Sequence, residues 1–213
     1  MANNAYRPSG LRPAKYLDGA PWNGQTRLHV QHASNAVATF VGDLVQLDTT
    51  NGGSPAGYKF PGLPAVMRYA AAQANCRGVL VGFLPEPEFT HSATASLGVR
   101  HRAASTTRWA LVVDDDRVLH SVMEADATGA AVGTALTVAA IGLNAELQTA
   151  NVAGSTLVGT SGMTLDNASE ATTATLPCRI VEFVQAEDNV YGDGYGRWLV
   201  KLNTIDYHNT TGI

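Results

Sequence analysis

From Ala36 onward the chain consists of short apolar runs, rich in Val, Leu, Phe and Trp, that are separated by Gly, Asn, Asp, Ser and Pro. Branched and aromatic side chains favour strands, and the separating residues favour turns. Many short strands with frequent turn signals are typical of a β-sandwich or a β-barrel. The sequence therefore predicts an all-β fold, either a sandwich, a jelly roll or a barrel. The runs are AVATFVGDLVQLD, CRGVLVGFL, RWALVV, RVLHSVM, AELQT, CRIVEFVQ and GRWLVKLN.

The last two runs predict a β-hairpin. RIVEFVQ and RWLVKLN are joined by the polar, glycine-rich loop AEDNVYGDGYG. Because side chains alternate between the two faces of a strand, Trp198, Val200 and Leu202 share one face. The opposite face then carries Arg197, Leu199 and Lys201.

The first 35 residues differ from the rest of the chain. Three prolines interrupt regular ladders and disfavour helix in the residues before them, and the apolar residues show no sustained period. The segment is locally basic, with aromatic side chains spaced through it. We expect an extended N-terminal arm over residues 1–35 and a β-rich domain over residues 36–213. The prolines are Pro8, Pro13 and Pro21.

Such an arm is suited to lying on the surface of another protein, where aromatic residues and arginines are enriched. The alternative is a disordered tail, which is common at chain ends. We interpret the arm as a docked element and expect that deletion of residues 1–30 leaves a folded β domain without its partner. The residues predicted to contact the partner are Arg7, Arg12, Lys15, Tyr16, Trp22 and Arg27.

A tract between Asp126 and Asp166 is rich in Ala, Gly and Thr, and Glu146 is its one charged residue. It has too few bulky residues for a dense core of its own. We therefore interpret it as a long region of loops and edge strands packed against neighbours, with low-complexity disorder as the alternative. Within it, TVAAIGLN predicts one short helical turn that ends at Gly142.

Charged residues are scarce. They make up 15% of the chain, against about 25% in a typical soluble domain. A subunit whose surface is partly covered by partners needs less surface charge than a free monomer; the alternative is an ordinary loop-rich protein with many small residues. The net charge of −4 argues against a nucleic-acid partner. No apolar run approaches the roughly 20 residues that cross a bilayer, and the polar start lacks the apolar stretch of a signal peptide.

Three consecutive carboxylates, Asp114 to Asp116, lie between two strand-like runs, and His120 follows. They could hold a divalent cation or supply an acid and a base. Adjacent side chains in an extended segment point to opposite faces, however, so three in a row do not converge on one ion. Aspartate is also favoured in turns. We expect a turn between two antiparallel strands, with no catalytic and no metal-binding role.

None of the remaining sequence motifs predicts a cofactor site or a metal site. His29 and His32 have an H-x-x-H spacing but lack further ligands at a recognisable spacing. No phosphate-binding glycine loop and no nucleophile elbow occurs in the sequence. Cys76 and Cys178 are far apart and lie beside apolar runs, which favours two reduced, semi-buried thiols and leaves a disulfide between them open.

Seven segments resemble, in the same order, a group of tailed-bacteriophage virion structural proteins, the capsid decoration or cement proteins. The resemblance implies a non-enzymatic, β-rich subunit, present as a dimer or trimer in many copies. Its partner would be the major capsid protein, and its location the outer surface of the virion after assembly in the host cytoplasm. No catalytic residue carries over. The segments are SGLRPAKYLDGAPWNGQ, VGDLVQL, GVLVGF, RAASTTRWALVVDDDRVLHSVME, IGLNAEL, LPCRIVEFVQAEDN and RWLVKLN.

Three alternative functions stay open at the level of sequence. The chain could be a different virion component, such as a head fibre, a tail protein or an adaptor. It could be a receptor- or glycan-binding module that uses exposed aromatic side chains. It could also be a metal-assisted hydrolase that uses Asp114, Asp116 and His120.

Overall fold

The structure of the chain is a computed structural model. It describes residues 4–53, 60–71, 75–84, 100–126, 128, 133–149 and 154–208. This part of the chain is almost entirely β, which confirms the predicted fold class. The strands build one sheet of seven strands, one of five and one of two.

The elements are short, as the spacing of turn residues predicts. Two 3₁₀ turns lie at Val138–Ala140 and Asp206–His208. The strands are β1 (Arg12–Tyr16), β2 (Arg27–Gln31), β3 (Thr39–Phe40), β4 (Leu44–Leu47), β5 (Val66–Arg68), β6 (Gly78–Leu84), β7 (His101–Arg102), β8 (Arg108–Val113), β9 (Val118–Ala125), β10 (Asn144–Ala145), β11 (Leu147–Gln148), β12 (Thr164–Asp166), β13 (Cys178–Phe183) and β14 (Arg197–Leu202).

The five-stranded sheet is a nearly closed barrel. Its order is β2-β8-β6-β4-β5. A parallel bridge between Val30 and Ala65 joins the two end strands, and the Val30 N–H donates to the Pro64 carbonyl at 3.1 Å. Closure removes the unpaired edges that would otherwise invite aggregation. Small and branched side chains form two packed clusters in this sheet, one of Val45, Val66, Leu80, Ala110 and Val112 and one of Val30, Ala65 and Trp109.

The seven-stranded sheet has the order β10-β13-β14-β9-β12-β11, and β1 also pairs with β9. Along one edge β9 pairs with β14. Along the other it pairs with β1 over its first half and with β12 at its end. The pairs are antiparallel except β9 with β12. Every part of β9 therefore has a neighbour on at least one side.

The largest core cluster joins the two sheets. Leu44 and Val79 belong to the barrel strands β4 and β6, and they lie in the same buried cluster as Val122, Trp198 and Val200 of the seven-stranded sheet. Alternation along a strand places successive side chains on opposite faces, so these barrel residues face outward while their neighbours Val45 and Leu80 face the barrel interior. The architecture is thus a small barrel packed against a second sheet.

The predicted hairpin is confirmed. β13 and β14 are antiparallel, with a bulge between Ile180 and Glu182. Trp198, Val200 and Leu202, which the alternation places on one face, are buried in the core. Leu199, on the opposite face, is also nearly buried, at 6% exposure.

The prediction that the runs around the aspartates pair with each other is wrong. β8 pairs with β2 and β6 in the barrel, whereas β9 belongs to the seven-stranded sheet. Residues 114–117 are a connection that leads from one sheet to the other. The cause is that the core faces of the two strands meet different partners, which neighbouring sequence does not reveal.

The Ala/Gly/Thr-rich tract is loops and short strands. Its strands β10 and β11 are the two ends of the seven-stranded sheet, which agrees with the predicted edge strands. The helical turn is present at Val138–Ala140, and Gly142 follows it with a φ of 88°. Residues 127, 129–132 and 150–153 of the tract lie outside the described part of the chain.

The N-terminal segment is extended, and it also contributes a strand to each large sheet. β1 lies along β9, where Pro13 pairs with His120 next to a bulge; an irregular edge position tolerates the missing N–H of proline. Upstream, Leu11 is 1% exposed in the main core. A Cβ atom at Gly10 would lie 2.3 Å from the Gly42 carbonyl oxygen, so the backbone passes too close for any side chain there.

The structure changes the expected result of deleting residues 1–30. The deletion would remove β1 from β9 and most of β2 from the barrel, together with the buried side chains of Leu11, His29 and Val30. Loss of a barrel strand and of large buried side chains is a severe destabilisation. A folded remainder is therefore no longer expected, and the role of the segment must be tested with point substitutions.

A buried arginine organises the loop between β2 and β3. Arg102 is fully buried, and its guanidinium donates to the carbonyls of Thr106 at 2.7 Å, Val37 at 2.6 Å, Asn35 at 2.7 Å and His32. Burial lowers the pKa of Arg102 to about 10, so it stays charged at neutral pH. One side chain thus binds four loop carbonyls, of which those of His32 and Asn35 also accept backbone N–H groups.

We expect Arg102→Met to lower the free energy of unfolding by roughly 3 kcal/mol, because several charge-assisted hydrogen bonds of a buried side chain are lost. Urea denaturation at pH 7 measures this. The control is Arg117→Met, at an arginine whose side chain is 61% exposed. A loss at Arg102 no larger than that of the control would contradict the organising role.

Candidate partner-binding surfaces

Asp114 is engaged in a junction between the barrel and the C-terminal segment. Its Oδ2 accepts a hydrogen bond from the Tyr207 hydroxyl at 2.8 Å and lies 3.5 Å from Arg27 Nε. The Arg77 guanidinium lies over the Tyr207 ring, 4.4 Å from its centroid, and Arg77 Nη1 is 3.2 Å from Asp206. Burial and the hydrogen bond to Asp114 raise the pKa of Tyr207. Each acid here faces a cation, which makes the junction a structural clamp.

The other two aspartates point elsewhere. The Asp115 Oδ1 accepts from the Arg117 backbone N–H at 2.9 Å, as aspartate does in turns. The Asp116 Oδ2 lies 3.3 Å from His208 Nε2 and 3.7 Å from Lys201 Nζ. The three carboxylates therefore do not converge. Asp115 has the turn role that the sequence predicts, whereas Asp114 and Asp116 lie in ion pairs on a connection between the two sheets.

His120 does not face the aspartates. It is fully buried within β9, on the same face as its partner Val200, and neither ring nitrogen makes a hydrogen bond of good geometry to a described residue. Burial lowers the pKa of His120 to about 3. The ring is thus a neutral core side chain rather than a partner for Asp114 or Asp116.

The remaining candidate ligands are structural as well. Among the described residues no group of three or more His, Cys, Asp or Glu side chains could hold a metal ion. His32 Nε2 shares a hydrogen bond with the Gly53 carbonyl at 2.8 Å, and His29 is buried in β2. Cys76 and Cys178 are free and buried, and burial raises the pKa of Cys76 to about 12.

The six predicted contact residues fall in three places. Arg27 belongs to the junction with Asp114. Arg7 lies beside the β13–β14 loop, where its N–H points at Met123 Sδ at 3.5 Å. The other four lie on β1 and the turn that follows it. These are Arg12, Lys15, Tyr16 and Trp22.

The chain after β1 folds back along it. The Tyr16 N–H donates to the Ala20 carbonyl at 2.7 Å and the Trp22 N–H to the Ala14 carbonyl at 3.3 Å. The tip is held by an ion pair of 3.2 Å between Asp18 and Arg117. Tyr16 and Trp22 are half-buried in this fold-back, so they offer less free aromatic surface than the sequence predicts.

A second surface, which sequence reasoning missed, is built on Glu124 at the end of β9. The carboxylate is 1% exposed. Its Oε2 accepts from the Leu136 N–H at 2.7 Å, and its Oε1 accepts from the Gly196 N–H at 3.1 Å. Burial raises the pKa of Glu124. One buried side chain thus ties both the loop before the first 3₁₀ turn and the β13–β14 loop to the central strand.

These two loops present apolar side chains to solvent. Val138 is 63% exposed, Tyr191 48% and Ile141 45%. The Val138 N–H donates to the Tyr191 hydroxyl at 2.9 Å, and the Tyr191 ring packs edge-on against Phe183 at 5.4 Å. The exposed side chains are therefore held in place by a rigid frame.

The N-terminus extends this surface. The Asn4 side chain donates to the Val190 carbonyl at 2.9 Å and accepts from its N–H at 2.8 Å. The Tyr6 ring then packs on Tyr195 at 5.3 Å and is 41% exposed. We call the four exposed residues Tyr6, Val138, Ile141 and Tyr191 the apolar loop surface.

Two further observations concern membrane-spanning helices and similarity to known proteins. Within the described ranges there is no helix long and apolar enough to cross a membrane. Comparisons with protein-family models, with curated proteins and with solved structures found no match.

The burial of His120 predicts a pH dependence of stability. In the unfolded chain a histidine has a pKa of about 6.5, whereas in the folded protein the pKa of His120 is about 3. Between these pH values the unfolded state binds a proton at His120 that the folded state does not bind. Stability is therefore lost as the pH falls from about 6.5. We expect His120→Leu to remove about 2 kcal/mol of the loss between pH 7 and pH 5.

Urea denaturation of both proteins at the two pH values measures this difference. His29, whose pKa burial lowers to about 4, contributes in the same direction in both proteins and cancels. Parallel losses of stability in the wild type and the variant would contradict the neutral, buried state of His120.

Proposed function

We propose that the chain is a capsid decoration protein of a tailed bacteriophage. It binds the outside of the phage head as a dimer or trimer, clamps neighbouring major capsid proteins and catalyses no reaction. The order of seven resembling segments along the sequence supports this proposal. So does the scarcity of charge, at 15% of residues, which suits a surface that partners cover.

The observation that carries the proposal is the apolar loop surface. Four large apolar or aromatic side chains are exposed, and they lie on loops that Glu124 and Asn4 hold in place. Exposed apolar patches on soluble proteins mark interaction sites. Tyrosine in particular is enriched where proteins bind each other, because its ring is apolar and its hydroxyl can stay hydrogen-bonded.

The engagement of the titratable groups favours a binding protein over the hydrolase alternative. A catalytic pair needs a free acid and a free base within reach of a substrate. Asp114 and Asp116 are each held by cations or a hydroxyl, and His120 is closed off in the core. The predicted contact residues Arg7, Arg12 and Lys15 would add charge-assisted bonds to the partner.

Repetition would make such a contact strong. When one copy binds two or more capsid subunits, the second binding event is intramolecular once the first has formed. The overall affinity of the copy for the head is then higher than the affinity of either contact alone. A modest patch on each subunit is then sufficient to hold the assembled shell. The localisation that follows is the outer surface of the virion.

The test is binding to undecorated heads of the phage that encodes the chain. We expect the double substitution Val138→Ser, Ile141→Ser to weaken binding at least about 10-fold, or about 1.4 kcal/mol. Stability should change little, since both side chains are exposed. Co-sedimentation of the purified protein with heads measures the affinity.

The matched control is the double substitution Leu157→Ser, Val158→Ser. These side chains are 77% and 61% exposed on a different loop, so the control removes a similar apolar area elsewhere. Head binding by the Val138/Ile141 variant at the strength of this control would contradict the role of the apolar loop surface. Failure of the wild-type protein to bind heads would contradict the proposed function itself.

A further inference from the structure

The strand register aligns three cations across the outward face of the seven-stranded sheet. Lys15 of β1 pairs with Leu119 of β9, Leu119 with Lys201 of β14, and Lys201 with Arg179 of β13. Paired residues share a face of a sheet. The buried neighbours Val200 and Ile180 belong to the core on the opposite face. We call Lys15, Lys201 and Arg179 the cationic row.

The row contains a direct like-charge pair. Lys201 and Arg179 occupy opposite positions of neighbouring antiparallel strands, an arrangement that destabilises a sheet. A chain with 14 Lys and Arg in total and a net charge of −4 nevertheless places three of them in one line. Ion pairs with Glu182 and Asp116 account for the placement of Lys15 and Lys201, whereas an anionic partner would account for that of Arg179.

Carboxylates of the chain itself compensate part of the row. Lys15 Nζ is 2.8 Å from Glu182, and Lys201 Nζ is 3.7 Å from Asp116. Arg179 is exposed and its Nε donates to the neutral Asn144 side chain at 3.1 Å. Among the described acids none forms an ion pair with Arg179 or with the exposed Arg12, which lies two positions along the same face of the sheet. The two guanidiniums are therefore available to a ligand.

The two leucines between these cations are not exposed. Leu119 and Leu199 lie on the same outward face and are 2% and 6% exposed, so they offer no apolar surface to a ligand. Strands are about 4.8 Å apart in a sheet, so the ends of the row are about 14 Å apart along the backbone. The Lys15–Glu182 ion pair spans the same three strand spacings, more than the two side chains reach on a flat sheet. The face is therefore concave along that line.

We infer that the cationic row, together with Arg12, binds an extended acidic segment of a partner protein. Its carboxylates would meet Arg179 and Arg12. Arginine pairs with carboxylates in a bidentate geometry. The length of the row excludes a single small anion as sole ligand. A single-stranded nucleic acid is the alternative polyanion, and the test includes it. The inference rests on the proposed function only for the partner's identity.

The test uses a fluorescein-labelled peptide of ten glutamates and the full chain, with fluorescence anisotropy as the readout. We expect saturable binding at about 0.01 M salt, where the Debye length is about 30 Å, and weaker binding at about 0.15 M, where it is about 8 Å. Arg179→Glu should weaken peptide binding at least about 10-fold. Arg179→Gln removes the charge without reversing it, so its peptide affinity should lie between those of the wild type and Arg179→Glu.

Thermal unfolding separates a lost site from a damaged fold. Arg179→Glu replaces the like-charge pair with an opposite-charge pair, so its Tm should equal that of the wild type or exceed it by about 1–3 °C. The control is Arg100→Glu, which makes the same change of charge at an exposed residue outside both sheets. Its peptide affinity should stay within about 2-fold of the wild type.

Four results would overturn the inference. They are the absence of saturable peptide binding, an equal loss of binding in Arg100→Glu, a lower Tm in Arg179→Glu, and tighter binding of a thymidine oligonucleotide than of the peptide. The peptide assay uses no phage heads, so a failure of peptide binding does not contradict the proposed function. A failure of head binding likewise does not contradict the acidic-segment site.

Discussion

The register of strand β9 is the constraint on which the rest of the structure depends. One face of β9 carries Val122 and His120 into the core shared with the barrel, and the other carries Leu119, which lies within the cationic row. A slip of one residue would exchange the two faces. At its end, buried Glu124 fixes both loops of the apolar loop surface. Both proposed binding surfaces are thus set by the position of a single strand.

Local features of the fold could be predicted from the sequence. The alternation of Trp198, Val200 and Leu202 predicted that they share one face of β14, which the structure buries, and the glycine-rich loop before it predicted the hairpin. The aspartate triplet lies in a connection between strands, and the helical turn ends where Gly142 adopts a positive φ. In each case the signal depends on residues within a few positions of one another.

Long-range pairing could not be predicted. β8 and β9 are neighbours in sequence but belong to different sheets, because each finds its hydrophobic partners far along the chain. The prolines of the N-terminal segment argued against ladders there, yet Pro13 is accommodated beside a bulge and β2 carries no proline. The arm's basic and aromatic residues remain predicted contacts, now distributed over three places. Arg179 could not be predicted as a site residue because its position opposite Lys201 depends on the hairpin register. Val138 and Ile141 could not be predicted as surface residues because apolar residues in a sequence suggest a core.

The central proposal is that the chain decorates a phage head, and its most direct test is the copy number of the chain in purified particles of the phage proposed to encode it. Quantitative mass spectrometry against the major capsid protein gives this ratio. A decoration protein repeats with the icosahedral symmetry of the head, so we expect on the order of hundreds of copies per particle. A dozen copies or fewer, or a soluble monomer absent from the particles, would contradict it.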